Sequence, residues 1–314
     1  MSGFHHHGHD HKSDHAHERA SLTGRAALAS VSVALFLVGL KVWASWDTDS
    51  VAMLGSLADT SLDLIASLVT FFGVRYAAKP ADDDHRFGHG KAEGIVALFQ
   101  VIIISVSAIG IAWRGIERFF SGERTQELEL GVTVSGIAIA VTLALLAYQR
   151  FVIRKTGSVA IQMDHVHYQT DLLLNGAVIA ALFLDQVADV PFADPLMGIA
   201  IAAWLLYGAW SGASHALDQL MDREWDEEKR DRFLAMVKTH PEMQGVHALR
   251  TRSSGGVDFA QFHLWLDPEM TISEAHRVMD EIEATIHKEF PGIDLLIHPD
   301  PKGLEERGHD TTPL

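Results

Sequence analysis

Two carboxylates four residues apart in the middle of an apolar stretch constrain this chain more than any other feature. The stretch runs from Val51 to Tyr76, and its centre holds Asp59 and Asp63. It is long enough to cross a bilayer, since about 20 residues at 1.5 Å each span a hydrocarbon core of roughly 30 Å. On a helix, the i, i+4 spacing points both acids the same way, one turn apart. A second apolar segment carries His167 and Asp171 at the same spacing. A charge near mid-bilayer costs on the order of 2.5–3.5 kcal/mol on insertion scales, so three acids are not kept there for packing. Two such helices would close a four-coordinate cage of three oxygens and one nitrogen around a divalent metal ion. The competing reading pairs each acid with a cation inside the bundle. Lys41 is the one basic residue well inside a nearby helix, and one lysine does not balance three acids.

The cage needs a membrane around it, and hydropathy supplies six spans. They cover about Leu22–Trp46, Val51–Tyr76, Gly94–Phe119, Leu130–Phe151, His167–Val187 and Pro195–Leu217, the fifth starting near Ser158. Arg19 and Arg25 precede the first span; Arg75, Lys79, Arg86 and Lys91 separate the second and third. Arg150, Arg154 and Lys155 follow the fourth, and Arg223, Lys229 and Arg230 follow the sixth. The opposite loops hold Asp47 and Asp49, then Asp185, Asp189 and Asp194; only Arg118 and Arg124 dilute the pattern there. The positive-inside rule then sets both termini in the cytoplasm. No cleavable signal peptide is expected, because the first apolar segment is too long for a signal core.

Composition limits the ligands. The 314 residues contain no cysteine, so thiolate sites and disulfides are excluded, and metal chemistry falls to His, Asp and Glu. The net charge of −16, from 41 acidic and 25 basic residues, argues against nucleic acid as a partner and for cations. Nineteen histidines cluster rather than scatter. Seven lie in residues 1–20, a polar stretch expected to be a disordered cytoplasmic tail that either collects metal or merely solubilises. An oxygen-rich cage suits Zn2+ and tolerates Cd2+, Fe2+, Co2+ or Mn2+.

The domain plan is therefore a tail (1–20), a six-helix membrane domain (21–220), a cytoplasmic α/β domain (221–302) and a short end (303–314). In the α/β part, Asp226–His240 reads as an amphipathic helix. Val246–Arg252 and Val257–Leu266 read as a hairpin across Ser253-Ser254-Gly255-Gly256, with Val257, Phe259, Gln261, His263 and Trp265 on one face. Thr271 and Glu274 form a capping box that opens a helix to about Phe290, and Ile293–His298 is a last strand.

Two further clusters draw attention. Asp82, His85 and His89 follow an i, i+3, i+7 spacing that aligns three ligands, against the alternative of a solvated loop. His247, His263, His276, His298 and Asp300 come from separate elements, and sequence alone does not bring them together. His165 points away from the His167 face; Asp164 shares that face one turn nearer the cytoplasm and reads as an entry-path residue.

With these residues in hand, residues 20–302 resemble the cation diffusion facilitator family, in its bacterial zinc and iron efflux branch. The resemblance rests on Leu-Ala-Asp59-x-x-x-Asp63, Asp-Asp-His85-x-Phe-Gly-His89-Gly-Lys-Ala-Glu, His167-Tyr-Gln-x-Asp171-x-x-x-Asn175-Gly and His-Pro-x-x-x-Gly-Val-His247-x-Leu-Arg-Thr-Arg. It implies a homodimeric metal/proton antiporter of the bacterial inner membrane, six helices plus a metallochaperone-like (ferredoxin-like) cytoplasmic domain. By position it makes Asp59, Asp63, His167 and Asp171 the transport site, and Asp82, His85 and His89 a loop site. It also implies a binuclear cytoplasmic site from His247, His263, His276, His298 and Asp300, with Asp300 as bridge. Lys91 and Asp222 match the family's charge pair that locks the dimer. Asp59 stands where zinc-selective relatives carry His, which implies a broader metal choice. A membrane-anchored metal sensor or storage scaffold is the alternative from another class.

Overall fold

A computed structural model describes residues 9–48, 51–121, 132–188 and 193–303. The chain divides into two units, Ala20–Leu217 and Asp218–Leu314 with Met1–Arg19. The long helices are α1 (His9–Thr48), α2 (Val51–Ala77), α3 (Ala92–Ser121), α4 (Val132–Thr156), α5 (Val159–Ala188) and α6 (Ala193–Leu220). Among the described residues, four stretches are long and apolar enough to cross a membrane: Glu18–Trp43, Ala92–Ser121, Gly136–Thr156 and Pro195–Leu220. The remaining long helices, α2 and α5, are the ones that carry the acids, and part of each lies outside the described side chains.

The helices begin and end within a few residues of the expected spans, with one exception at the start of α1. Helix α5 starts at Val159, close to the Ser158 start expected for it. Helix α1 starts at His9, so part of the stretch expected to be disordered is helical. Elongating an existing helix avoids the cost of nucleation, and no glycine or proline interrupts residues 9–23. Residues 1–8 of that stretch lie outside the described residues.

Helix α5 is the hub of the bundle. Its Ala160 and Ile161 pack with Ala27 of α1, Val74 of α2, Val96 of α3 and Val152 of α4. Its Met163 packs with Val101 and Ile104 of α3 and Leu205 and Ala209 of α6. Apolar helices in lipid gain nothing from the hydrophobic effect, so they associate through close packing at small residues. A Cβ at Gly73 would sit 2.0 Å from Val96 Cγ2, and one at Gly212 would sit 2.1 Å from Met163 Sδ. Both positions are therefore bare where a neighbouring helix presses in.

The second unit comprises α7 (Glu227–Val237), β1 (Gly245–Ser254), β2 (Val257–Leu266), α8 (Ile272–Glu289) and β3 (Asp294–Pro301). The sheet order is β1-β2-β3, with β1 antiparallel and β3 parallel to β2. The parallel pair needs a crossover, which α8 supplies. The core gathers Phe233 of α7, Phe262 and Leu264 of β2, and Val278, Ile282 and Ile286 of α8. Ala260, Phe262, Leu264 and Leu266 thus form the inner face of β2, and His263 and Trp265 stand on the other. Helix α8 opens on the expected capping box: Thr271 accepts from the Glu274 N–H, and Glu274 accepts from the Thr271 N–H at 2.8 Å. That N–H, followed by the Thr271 hydroxyl, holds the Glu274 carboxyl below its ordinary range.

Removing the cap should destabilise the start of α8. Thr271→Ala is expected to cost about 1 kcal/mol locally, read as faster hydrogen exchange in the first turn. Because the Glu274 pKa is lowered on folding, its contribution is present above the unfolded value and fades as pH falls through the folded one. The wild-type protection of that turn should decline on acidification, and the Glu274→Gln variant should lose that pH dependence.

Candidate metal centres

Helices α2 and α5 pack side by side and bring Asp63, His167 and Asp171 together. One ligand atom from each lies within 4.8 Å of the others, and His167 Nε2 is 3.1 Å from Asp63 Oδ1. His167 is buried, while Asp63 and Asp171 are partly open. The i, i+4 relation puts Asp59 one turn before Asp63 on α2; its side chain lies outside the described residues. Lys41, weighed above as a counter-cation, donates to the Thr60 hydroxyl at 2.5 Å.

Asp164 takes a different place from the entry path expected of it. It is fully buried, and its Oδ2 accepts from the Ser30 hydroxyl of α1 at 2.6 Å and from Gln149 Nε2 of α4 at 2.8 Å. His165 Nδ1 lies 3.2 Å from Gln149 Oε1 on the same helix pair. Sequence reasoning missed Ser30 and Gln149 as partners. Their signal was a polar residue on an otherwise apolar helix, the residue type that makes hydrogen bonds between helices in lipid.

The loop trio also converges, by a route other than helical spacing. Residues 78–91 form turns rather than a helix. Asp82 Oδ1 accepts the backbone N–H of His85 at 2.7 Å and of Asp84 at 3.1 Å, folding the segment back on itself. His85 Nδ1 then lies 3.4 Å from Asp82 Oδ1, and His89 Nε2 lies 3.4 Å from Asp82 Oδ2. The His85 N–H is the main reason the Asp82 carboxyl is held below its ordinary range, with both imidazoles adding to it. His89 Nδ1 is 3.2 Å from the Pro80 carbonyl. A carbonyl only accepts, so Nδ1–H donates to it and fixes the ring with Nε2 turned toward Asp82.

In the second unit, strand register builds the third cluster. His247 pairs with His263 across β1 and β2, and His263 pairs with His298 across β2 and β3, giving a row of three imidazoles. Asp300 stands two residues beyond His298, on the same face of β3. Its Oδ2 lies 3.1 Å from His247 Nε2 and 2.8 Å from His263 Nδ1, and its Oδ1 lies 3.2 Å from His298 Nε2. Each oxygen of one carboxylate therefore faces different imidazoles, the arrangement a bridging ligand needs. Nitrogen and oxygen donors at these separations fit Zn2+. His276 stands apart on exposed α8, 3.7 Å from Asp280, outside the His247–His263–Asp300 group. Asp222 pairs with Arg252 at 3.2 Å in the second unit, and Lys91 belongs to the first.

One trio of N and O donors between apolar helices, with two more in a loop and on a sheet, is the donor set a membrane protein handling metal cations would need. Residues 27–221 match the cation efflux transmembrane domain, and residues 225–302 match the cation efflux protein cytoplasmic domain. The chain belongs to the cation efflux family and is a multi-pass membrane protein. Among its relatives, the cation-efflux pump FieF of Pectobacterium atrosepticum is 40% identical over 282 residues, 90% of this chain and 94% of that one. The cation-efflux pump FieF of Yersinia enterocolitica is 41% identical over 285 residues, 91% of this chain and 95% of that one. A solved structure of CzrB in its Zn form is similar over 27% of this chain and 99% of that chain, at 33% identity and a TM-score of 0.26.

If Asp300 joins ligands on both sides, its loss should empty more than one position. In the full-length protein, Asp300→Asn is expected to lower the number of tightly held Zn2+ ions, with affinity reduced at least about tenfold. Equilibrium dialysis with metal analysis reads both, and an unchanged stoichiometry and affinity would overturn the assignment.

Proposed function

We propose that this protein exports Zn2+, and with it Cd2+ and Fe2+, from the cytoplasm in exchange for protons. The observation that carries this reading is the convergence of Asp63 on α2 with His167 and Asp171 on α5. Asp59 completes the cage from α2. A ligand holds metal only when deprotonated, so proton and metal compete for one set of side chains. Histidine titrates nearest neutrality, which makes His167 the principal proton carrier. Protons arriving from outside displace the ion, and alternating access opens the cage to one side at a time. The protein is then a secondary active transporter of the inner membrane, with six spans and both termini in the cytoplasm.

The second unit holds resident metal. His247, His263, His298 and Asp300 would bind it, with His276 as a further ligand, and the bound ions would cross-link and stabilise a homodimer. Lys91 and Asp222 form the charge pair that locks that dimer near the membrane surface. Asp82, His85 and His89 form a further cation site between α2 and α3. The relatives named as cation-efflux pumps support the direction of transport.

Proteoliposomes test the proposal directly. Wild-type protein should move Zn2+ and drive protons the opposite way, while Asp63→Ala should abolish both fluxes. Zn2+ uptake at the wild-type rate in that variant sinks the cage. Metal binding without any flux would point to a storage scaffold instead.

A further inference from the structure

A chain of buried hydrogen bonds runs one helical turn away from the cage and touches both cage helices. Ser67 lies four residues after Asp63 on α2, and Tyr168 follows His167 on α5. The Tyr168 hydroxyl lies 2.8 Å from Ser67 Oγ and donates to the Ser30 carbonyl of α1 at 3.0 Å. A phenol has one proton, so Ser67 is the donor in the other bond. Ser30 then turns its own hydroxyl to Asp164 Oδ2, one turn before Tyr168 on α5. Gln149 of α4 bonds the same carboxylate oxygen and the Ser30 hydroxyl, the latter at 3.0 Å. Four helices meet in this knot. Ser30, Ser67, Gln149, Asp164 and Tyr168 are all buried.

The knot is placed to control the width of the cage. The Ser67–Tyr168 bond ties α2 to α5 one turn from Asp63 and one residue from His167. The ties from Tyr168 and Asp164 to Ser30 would have to break for α5 to rotate about its own axis, the motion that would carry His167 and Asp171 away from Asp63. A cage discriminates between ions of equal charge by its size and rigidity, because ligands free to move apart accommodate a larger cation. Groups that hold the ligands, without touching the ion, commonly change metal affinity 10–100-fold when removed.

We infer that Tyr168, Ser67 and Ser30 are positioning residues that set how far the cage favours the smaller Zn2+ over the larger Cd2+ that it also carries. The inference rests on the cage reading above. It separates from general stability, because a merely structural bond would weaken transport of both ions alike.

The test compares initial transport rates for Zn2+ and Cd2+ in proteoliposomes of the full-length protein, resolved into kcat and KM for each metal. Tyr168→Phe keeps the ring and removes both hydroxyl bonds; Ser67→Ala removes one of them from the other side. Each should raise KM for Zn2+ more than for Cd2+, and Tyr168→Phe should lower the Zn2+/Cd2+ ratio of kcat/KM about tenfold. The double variant should match Tyr168→Phe, since both changes delete the same bond. An unchanged ratio with Zn2+ transport retained would overturn the positioning role and leave the cage intact. Asp63→Ala, run beside them, reports on the cage itself: transport surviving there would remove the basis of both. Should Tyr168→Phe fail to assemble, Ser67→Ala reads the same ratio.

Discussion

A carboxylate held between apolar helices must be neutralised, and most of this molecule follows from that requirement. Coulomb energy rises steeply as the dielectric falls, so a buried acid without a cation, a proton or strong donors is costly. Asp63 meets the requirement with the His167 imidazole at 3.1 Å, and Asp164 meets it with two hydrogen bonds from α1 and α4. The two solutions differ in what can replace them. A divalent ion beside a neutral imidazole balances the charge of both carboxylates, which one imidazole alone does not. An acid whose Oδ2 is held by a serine and a glutamine from two other helices is tied into the scaffold instead.

The soluble unit solves a related problem with strands instead of helices. Its inner face is aliphatic and aromatic, which frees the opposite face of the sheet for polar chemistry. Register then sets three histidines in a row, and a carboxylate two residues farther along β3 meets all three. Helix α8, needed to make β3 parallel to β2, brings His276 to a solvent-facing surface on the same unit. These candidate ligands therefore displace no aliphatic residue of the core, although His247 and Asp300 are themselves buried.

The sequence disclosed those parts that depend on spacing within one element. The i, i+4 pair of His167 and Asp171 on α5, the capping box at Thr271 and the approximate helix limits all follow from spacing along one element. What it concealed depends on how separate elements meet. The row from His247 to His298 requires strand register, which no local pattern encodes. The loop trio converges because Asp82 captures two backbone N–H groups, whereas the i, i+3, i+7 spacing had implied one face of a helix. Asp164 looked like part of a path because it shares a helical face with His167. Only the positions of Ser30 and Gln149 on other helices give it a different role. On β2 the alternation was visible, but which face turns inward was decided by Phe233 and Ile282 on the packed helices.

Gly73 and Gly212 carry a separate consequence. Each lies where a neighbour, Val96 or Met163, occupies the space of a missing methyl group. Replacing a proposed ligand such as Asp171 leaves that packing untouched, so the altered chain should still accumulate in the membrane, full-length but idle. Replacing Gly73 sets a side chain against branched Val96 and keeps α2 from closing on α3, so quality control would clear the product before its activity mattered; at Gly212 the flexible end of Met163 can give way. A survey of natural or engineered variants would then sort into two populations, one scarce and the other abundant yet inert, with positions such as Gly73 filling the first.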